Sequence, residues 1–164
     1  MNAGLLAARL VMGGLMAAHG SQKLFGWFGG YGLDGTAAFF EQIGFRPGRR
    51  FALAAALSEV TGGLLVVAGL LGPIGPALML AVMIVALVTV HWGHGLFAMT
   101  NGVEIPLLYA AGAAALALTG PGAFSVDAVL GLAAQWTPAT AWLAIGCAVL
   151  GAVLNLAARR PVAA

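Results

Sequence analysis

Long runs of apolar residues, separated by short polar stretches, dominate the hydropathy pattern of this chain. A helix needs about 20 mostly apolar residues, within a range of about 17–25, to cross a bilayer. The second and third runs are joined by the turn sequence GPIGP, which predicts an antiparallel helix hairpin. The pattern predicts five membrane spans, at residues 4–20, 51–71, 76–93, 104–120 and 139–157.

The longest connection between these spans covers residues 21–50 and contains the sequence LDGTAAFFEQIGFRPGRR. Asp34 or Thr36 is expected to cap a short helix there, and Gly44 to end it. The mixture of phenylalanines with charged and amide side chains is typical of a helix that lies on a membrane surface. We therefore predict a short interfacial helix within residues 34–44, with a plain loop as the alternative.

The composition excludes a soluble domain. Hydrophobic residues make up 62% of the chain and charged residues only 7%, whereas soluble domains carry about 25% charged residues. We therefore predict a multi-pass protein of the inner (plasma) membrane. Cys147 is the only cysteine, which excludes an intramolecular dithiol, and its apolar surroundings favour a packing role.

The basic residues predict the orientation of the chain in the membrane. Five spans place the 21–50 connection, the 94–103 loop and the C-terminus on one side, and the positive-inside rule makes that side cytoplasmic. Arg9 complicates this prediction because it lies within the first span and could reach the other interface. The Lys and Arg residues of the predicted cytoplasmic side are Lys23, Arg46, Arg49, Arg50, Arg159 and Arg160.

Polar residues recur along one face of the first span. Arg9, Met12, Met16, His19 and Lys23 follow one another at spacings of three or four residues, so they share a helical face. An arginine facing hydrocarbon costs about 2.5–3.5 kcal/mol or more. This face is therefore expected to turn toward the other helices.

Glu59 interrupts the second span and needs a partner, because an unpaired carboxylate is costly to bury. Arg9 and Lys23 are the cations available from the first span, with His19 as a neutral hydrogen-bond partner. An Arg9–Glu59 pair is compatible with the depth of both residues in their spans, and Lys23 is the other candidate. The alternative to a functional site is an ion pair that only holds the bundle together.

A second group of polar residues lies around the end of the third span, in the sequence TVHWGHG. His91 and His94 are three residues apart, a spacing that could serve a metal or haem, but the adjacent glycines and Trp92 favour two histidines at the membrane interface. Both fall on the membrane side of His19. A convergent pocket could therefore contain His19, Gln22, Lys23, His91, His94 and Glu104.

Several segments, taken in order, resemble the DoxX family of small bacterial and archaeal membrane proteins. The segment RLVMGGLMAAHGSQKLFGWFGG is similar to the first helix of the family and its HG-x-x-KLFG ending, and GTAAFFEQIGF to the connecting segment. ALSEVTGGLLVVAGLLGPIGPALML is similar to the glutamate and paired glycines before a glycine-rich turn. GPGAFSVD resembles a closing GPG-x-x-S-x-D pattern, and together these segments cover about residues 5–130.

The resemblance implies an all-α integral membrane protein built on a four-helix transmembrane bundle, with two departures. Ala123 stands where the family often carries arginine, and the fifth span extends beyond the usual four-helix unit. We therefore predict a DoxX-like transmembrane bundle over residues 1–130 and an added C-terminal transmembrane helix within 131–164.

The resemblance also implies a redox role, because relatives of the family include a membrane subunit of thiosulfate:quinone oxidoreductase. On this interpretation the chain is a subunit of a quinone-linked membrane oxidoreductase, with quinone as its cofactor and no haem or metal. His19 and Glu59 are the catalytic candidates. The cofactor-binding candidates are Arg9, Gln22, Lys23, His91, His94 and Glu104.

Two other functions fit the same sequence. A non-enzymatic membrane anchor or assembly subunit suits the high glycine content and short loops. A small-molecule permease would need an oligomer, because five helices enclose little space. The expected partners are membrane lipid, a redox partner protein and further copies of the chain, and no nucleic acid.

Overall fold

The computed structural model describes residues 2–160, and within that range the chain is all helical without a strand. Met1 and residues 161–164, which belong to the predicted units 1–130 and 131–164, lie outside the described residues. The seven α-helices are α1 (Asn2–Phe25), α2 (Gly32–Gln42), α3 (Gly48–Ala68), α4 (Ile74–Ala86), α5 (Glu104–Thr119), α6 (Val126–Val129) and α7 (Pro138–Ala157).

Four helical segments are long and apolar enough to cross a membrane: α1, α3, α7 and the continuous segment Ile74–His94 that begins with α4. The fourth predicted span behaves differently, since α5 has only 16 residues and is shorter than a typical span. It still runs the length of the bundle. The backbone N–H of its first residue, Glu104, donates to the Leu96 oxygen, just after the segment Ile74–His94. At its other end, Gly122 lies against Leu5 of α1.

The helices form one membrane bundle. Helix α1 packs along α3, α3 along α4, and α4 along α5, while α7 rests against α4 and α5. The core is unusually rich in methionine and alanine, whose small or flexible side chains let neighbouring helices approach closely. Its fully buried members are Met16, Val66, Met79, Leu80, Met83, Ala113, Leu116 and Ala148.

Glycines bring α1 and α3 into backbone contact. A Cβ placed on Gly13 would lie 2.7 Å from the Gly63 carbonyl oxygen, and one placed on Gly63 would lie 2.5 Å from the Gly13 oxygen. Both distances are too short for any side chain. Small residues at this interface therefore set the distance between the two helices that carry the candidate site.

The short helix expected after the first span is confirmed as α2, and Gly44 follows its last turn with a φ of 95°, as predicted for the residue that ends it. The predicted N-terminal caps are wrong. Tyr31 precedes the helix, so Asp34 lies in the first turn and Thr36 is buried inside it. Thr36 donates to the Gly32 oxygen at 2.8 Å and lies 3.4 Å from the Lys23 oxygen. Glu41 accepts from the Gly48 backbone N–H at 3.1 Å, which ties the end of α2 to the start of α3.

The bundle has two chemically different ends. The end of α1, the start of α3 and the end of α7 lie together at the end that we call the basic end, which carries Lys23, Arg46, Arg49, Arg50, Arg159 and Arg160. The opposite end holds the start of α1, the α3–α4 turn and α6, and Arg9 is its only basic residue between positions 2 and 160. A cytoplasmic location of the basic end stays a prediction from the positive-inside rule.

Candidate functional site

An ion pair between α1 and α3 forms the centre of the candidate site. The Lys23 ammonium donates to Glu59 Oε1, and the Glu59 side chain is 0% exposed. Lys23 remains 24% exposed, so the pair joins a buried carboxylate to the basic end of the bundle. Glu59 lies about 17 Å along α3 from Gly48, at about 1.5 Å per residue.

Gly20 explains why the two helices can make this pair. A Cβ on Gly20 would lie 2.7 Å from the Val60 backbone nitrogen and 2.8 Å from the Ala56 oxygen. The turn of α3 that carries Glu59 therefore touches the α1 backbone directly. Because helical side chains lean toward the N-terminus, Lys23 reaches back along α1 to the carboxylate.

One oxygen of the buried carboxylate is left without a partner. Glu59 Oε2 is the one buried side-chain polar atom between residues 2 and 160 that makes no hydrogen bond. Buried polar groups are nearly always hydrogen-bonded, and each exception calls for an explanation. An oxygen in this position can accept a hydrogen bond from a ligand, or carry a proton and donate one.

His19 lies beside the ion pair, one helical turn before Lys23, and its charge environment is set by Lys23 and Glu59. The prediction that His19 faces the bundle interior is wrong, because its side chain is exposed. Consecutive helical residues point about 100° apart, and the neighbouring Gly20 occupies the face packed against α3. The imidazole is therefore open to a molecule that approaches through the bilayer or along its surface.

Of the two candidate pairs, Arg9–Glu59 does not form, because Arg9 lies about 21 Å along α1 from Lys23, at about 1.5 Å per residue. Arg9 is buried at the opposite end and donates four hydrogen bonds to backbone oxygens. Nε donates to Val66 at 2.8 Å, and Nη2 to Val67 at 2.8 Å. Nη1 donates to both Pro121 and Phe124 at 2.7 Å.

These contacts give Arg9 a structural role, whereas the sequence suggested a cofactor-binding role for it. Val66 and Val67 belong to the last turn of α3, where carbonyl groups lack partners within the helix and the helix dipole favours a cation. Arg9 therefore closes the end of α3 and ties it to the loop after α5. It does not take part in the Lys23–Glu59 site.

The remaining predicted site residues make local contacts or lie exposed on the surface. Gln22 donates to the Phe28 oxygen at 3.2 Å, in the turn just after α1. His91 Nδ1 lies 2.8 Å from the Asn101 oxygen, and Glu104 Oε2 accepts from the Ala98 N–H at 2.8 Å. His94 is exposed in the same loop.

The expected convergent pocket is not joined by direct polar contacts. Across residues 2–160, no hydrogen bond or ion pair links His91, His94 or Glu104 to the Lys23–Glu59 pair. His91 and Glu104 instead make their side-chain contacts within the loop between α4 and α5. No group of three or more His, Cys, Asp or Glu residues in the described part of the chain is arranged to hold a metal ion.

Sequence reasoning missed Asp127, which is 0% exposed at the opposite end. Its carboxylate accepts from the Leu71 N–H at 3.0 Å and the Gly72 N–H at 2.7 Å, and from Trp136 Nε1 at 2.7 Å. Its own N–H donates to the Gly69 oxygen at 3.1 Å, and Gly69 also touches the Arg9 guanidinium. Arg9 and Asp127 thus hold the α3–α4 turn from two sides.

The α3–α4 turn needs this support because Leu71 has a φ of 60°, a conformation that a leucine rarely adopts. The one available signal for Asp127 was its place in the S-x-D sequence after Gly120-Pro121-Gly122. That signal identifies a polar residue next to a turn. It does not reveal that the residue binds a turn about 55 positions earlier, at Gly72.

The model of the DoxX family, described as DoxX, matches residues 4–92. The match covers α1, α2, α3 and α4 with its continuation, and so includes the Lys23–Glu59 pair, whereas the GPGAFSVD segment lies outside it. No curated protein and no solved structure matches the chain. A match over more than half of the chain, on the helices that form the bundle, means that this membrane protein belongs to the DoxX family.

Proposed function

We propose that this protein is a quinone-reactive subunit of a membrane oxidoreductase, and that the quinone headgroup binds at His19, Lys23 and Glu59. The observation that carries the proposal is the buried Glu59 Oε2, which lacks a hydrogen-bond partner in the described chain. This oxygen can donate to a quinone carbonyl when Glu59 takes up a proton, and it can accept from a quinol hydroxyl when Glu59 is ionised.

The three side chains offer the groups that quinone reduction requires. A bound quinone would supply a two-electron acceptor that also takes up two protons. Glu59 and His19 are two groups that can each take up and donate a proton, and Lys23 provides a positive charge next to them. Because Lys23 is partly exposed at the basic end, it can pass protons from water to Glu59.

The exposure of His19 supports entry from the membrane. Quinones are lipid-soluble, so a headgroup would approach the protein sideways, and the exposed His19 ring lies on that route. The electrons must come from a redox partner protein. Cys147 is the only cysteine, so this chain has no internal dithiol to provide them.

Replacement of His19 by alanine tests this proposal. We expect the variant to fold normally, because His19 is an exposed residue and its removal leaves no buried charge unpaired. It should retain at least about tenfold less quinone after purification, a loss of about 1.4 kcal/mol in binding. The measurement is chromatography of lipid extracts from equal amounts of folded protein. Quinone titration followed by tryptophan fluorescence gives the dissociation constant.

Gln42→Ala is the matched control, because Gln42 is an exposed polar residue at the same end that lies outside the site. It should retain the wild-type quinone content. Unchanged quinone content and affinity in His19→Ala would contradict the proposal. The absence of quinone from the wild-type protein, combined with no titratable binding, would instead favour the anchor or assembly function.

A further inference from the structure

The tertiary structure brings together basic residues that are far apart in the sequence. The Arg160 backbone N–H donates to the Gly44 oxygen at 2.8 Å, and Arg159 Nε donates to the Ile43 oxygen. The chain just after α7 is thereby fastened to the turn between α2 and α3. The resulting surface, which we call the arginine surface, consists of Arg46, Arg49, Arg50, Arg159 and Arg160.

Most of the positive charge on the arginine surface is uncompensated. All five arginines are exposed. Arg49 pairs with Asp34, and Glu41 is the other carboxylate on α2. The side chains of Arg46, Arg50 and Arg160 make no ion pair within residues 2–160. A surface with five guanidinium groups and two carboxylates attracts anions, and guanidinium groups bind phosphate oxygens in a bidentate manner.

The arginine surface lies where lipid headgroups are expected. Helix α3 begins at Gly48 and α7 ends at Ala157, and both are long and apolar enough to span a membrane. Near the arginines along the chain, exposed apolar side chains are present on α2, α3 and α7. They include Phe39 on α2, Leu53 on α3, and Val153 and Leu154 on α7.

We propose that the arginine surface is a binding site for an anionic phospholipid, with the phosphate on the guanidinium groups and the acyl chains against the apolar residues. Basic clusters directly next to a membrane span attract anionic headgroups. The neighbouring apolar side chains favour a lipid over a soluble anion, because a soluble anion has no acyl chain to pack against them. This site is separate from Glu59 and does not depend on the proposed quinone function.

Binding is tested with the purified full chain in a neutral detergent by native mass spectrometry. Phosphatidylglycerol and phosphatidylcholine with identical acyl chains are titrated separately. We expect one phosphatidylglycerol to bind at least about tenfold more tightly than phosphatidylcholine, in keeping with the contribution of several arginines near an anionic headgroup. Equal affinities for the two lipids would overturn the proposal.

The variant Arg46→Gln/Arg50→Gln/Arg160→Gln removes three positive charges. Within residues 2–160 these side chains make no hydrogen bond or ion pair, and the backbone bond between Arg160 and Gly44 is kept. We expect it to lose the preference for phosphatidylglycerol. The matched control, Arg46→Lys/Arg50→Lys/Arg160→Lys, keeps the charges and should keep the preference. If the glutamine variant does not fold, the single variants Arg46→Gln and Arg50→Gln are measured, and each should weaken the preference.

Retention of the full preference in the folded glutamine variants would show that the lipid binds elsewhere. A third titration uses inorganic phosphate against the phosphatidylglycerol complex. Lipid that stays bound at millimolar phosphate supports the lipid site. Complete displacement by phosphate would assign the surface to a free anion and overturn the proposal.

Discussion

The variant Arg9→Met should be strongly destabilised, with a free energy of unfolding lowered by at least about 3 kcal/mol. Four backbone oxygens lose the arginine donor at once. The Val66 oxygen keeps the Gly69 N–H at 3.1 Å, and each buried acceptor left without a partner costs about 1–3 kcal/mol. Methionine fills the space of the side chain stem but donates nothing. The measurement is the unfolding temperature, or the midpoint of unfolding in mixed detergent micelles.

Arg9→Lys is the matched control, because it keeps the positive charge at the end of α3. A lysine ammonium has three donors at one point and cannot reach oxygens on both α3 and the loop after α5. We therefore expect a stability between those of the wild type and Arg9→Met. Wild-type stability in Arg9→Met would mean that the four contacts do not hold this end together. Quinone retention in the surviving folded fraction should not change, because Arg9 lies outside the proposed site.

Replacement of Lys23 by methionine should destabilise the protein more than replacement of Glu59 by glutamine. Lys23→Met leaves the fully buried Glu59 carboxylate without its cation, and breaking a buried pair in this way costs about 3–5 kcal/mol. Protonation of Glu59 limits the loss. Both variants are compared by thermal unfolding in the same detergent at the same pH.

Glu59→Gln should have the smaller effect. Lys23 is 24% exposed, so its ammonium group can reach water when the carboxylate is removed. The glutamine amide oxygen can also accept the lysine hydrogen bond. A larger effect of Glu59→Gln would show that Lys23, rather than Glu59, is the costlier buried charge, and equal effects would also contradict the prediction.

The same two variants separate stability from the proposed chemistry. A glutamine at position 59 cannot donate or take up a proton as a carboxyl group can, so Glu59→Gln should lose quinone turnover while it remains folded. If the ion pair only holds the bundle together, Lys23→Met would still be unstable, but Glu59→Gln would keep full quinone binding and turnover.

The membrane class and the helices could be predicted from the sequence because they depend on local properties. Apolar runs of sufficient length are helical spans wherever they occur in a bilayer, since every backbone polar group must be satisfied within the segment. The short helix α2 was recognisable from another local property, its mixture of phenylalanines with charged and amide side chains. Its start was misplaced because Asp34 and Thr36 are good caps, yet α2 begins earlier, at Gly32.

The partners of the buried charges could be predicted only in part. That Glu59 must meet a cation from the first span follows from the cost of burying a lone carboxylate, and Lys23 was one of two candidates. Arg9 was the other, and its true partners are backbone oxygens. Every residue has a backbone carbonyl group, so the sequence does not show which of them accept from Arg9. The choice between Arg9 and Lys23 as the partner of Glu59 could therefore not be made from side-chain types.

The sequence by itself determined that this chain is a multi-helix membrane protein with a buried acid and a basic end, because hydropathy and charge act residue by residue. Only the tertiary structure decided which side chains meet. The contact of Gly20 with Ala56 and Val60 sets the spacing of α1 and α3, and this spacing pairs Lys23 with Glu59 while His19 stays exposed. Likewise, Asp127 reaches the turn at Leu71 and Gly72. Such contacts depend on how helices distant in sequence pack together, and no local pattern encodes that.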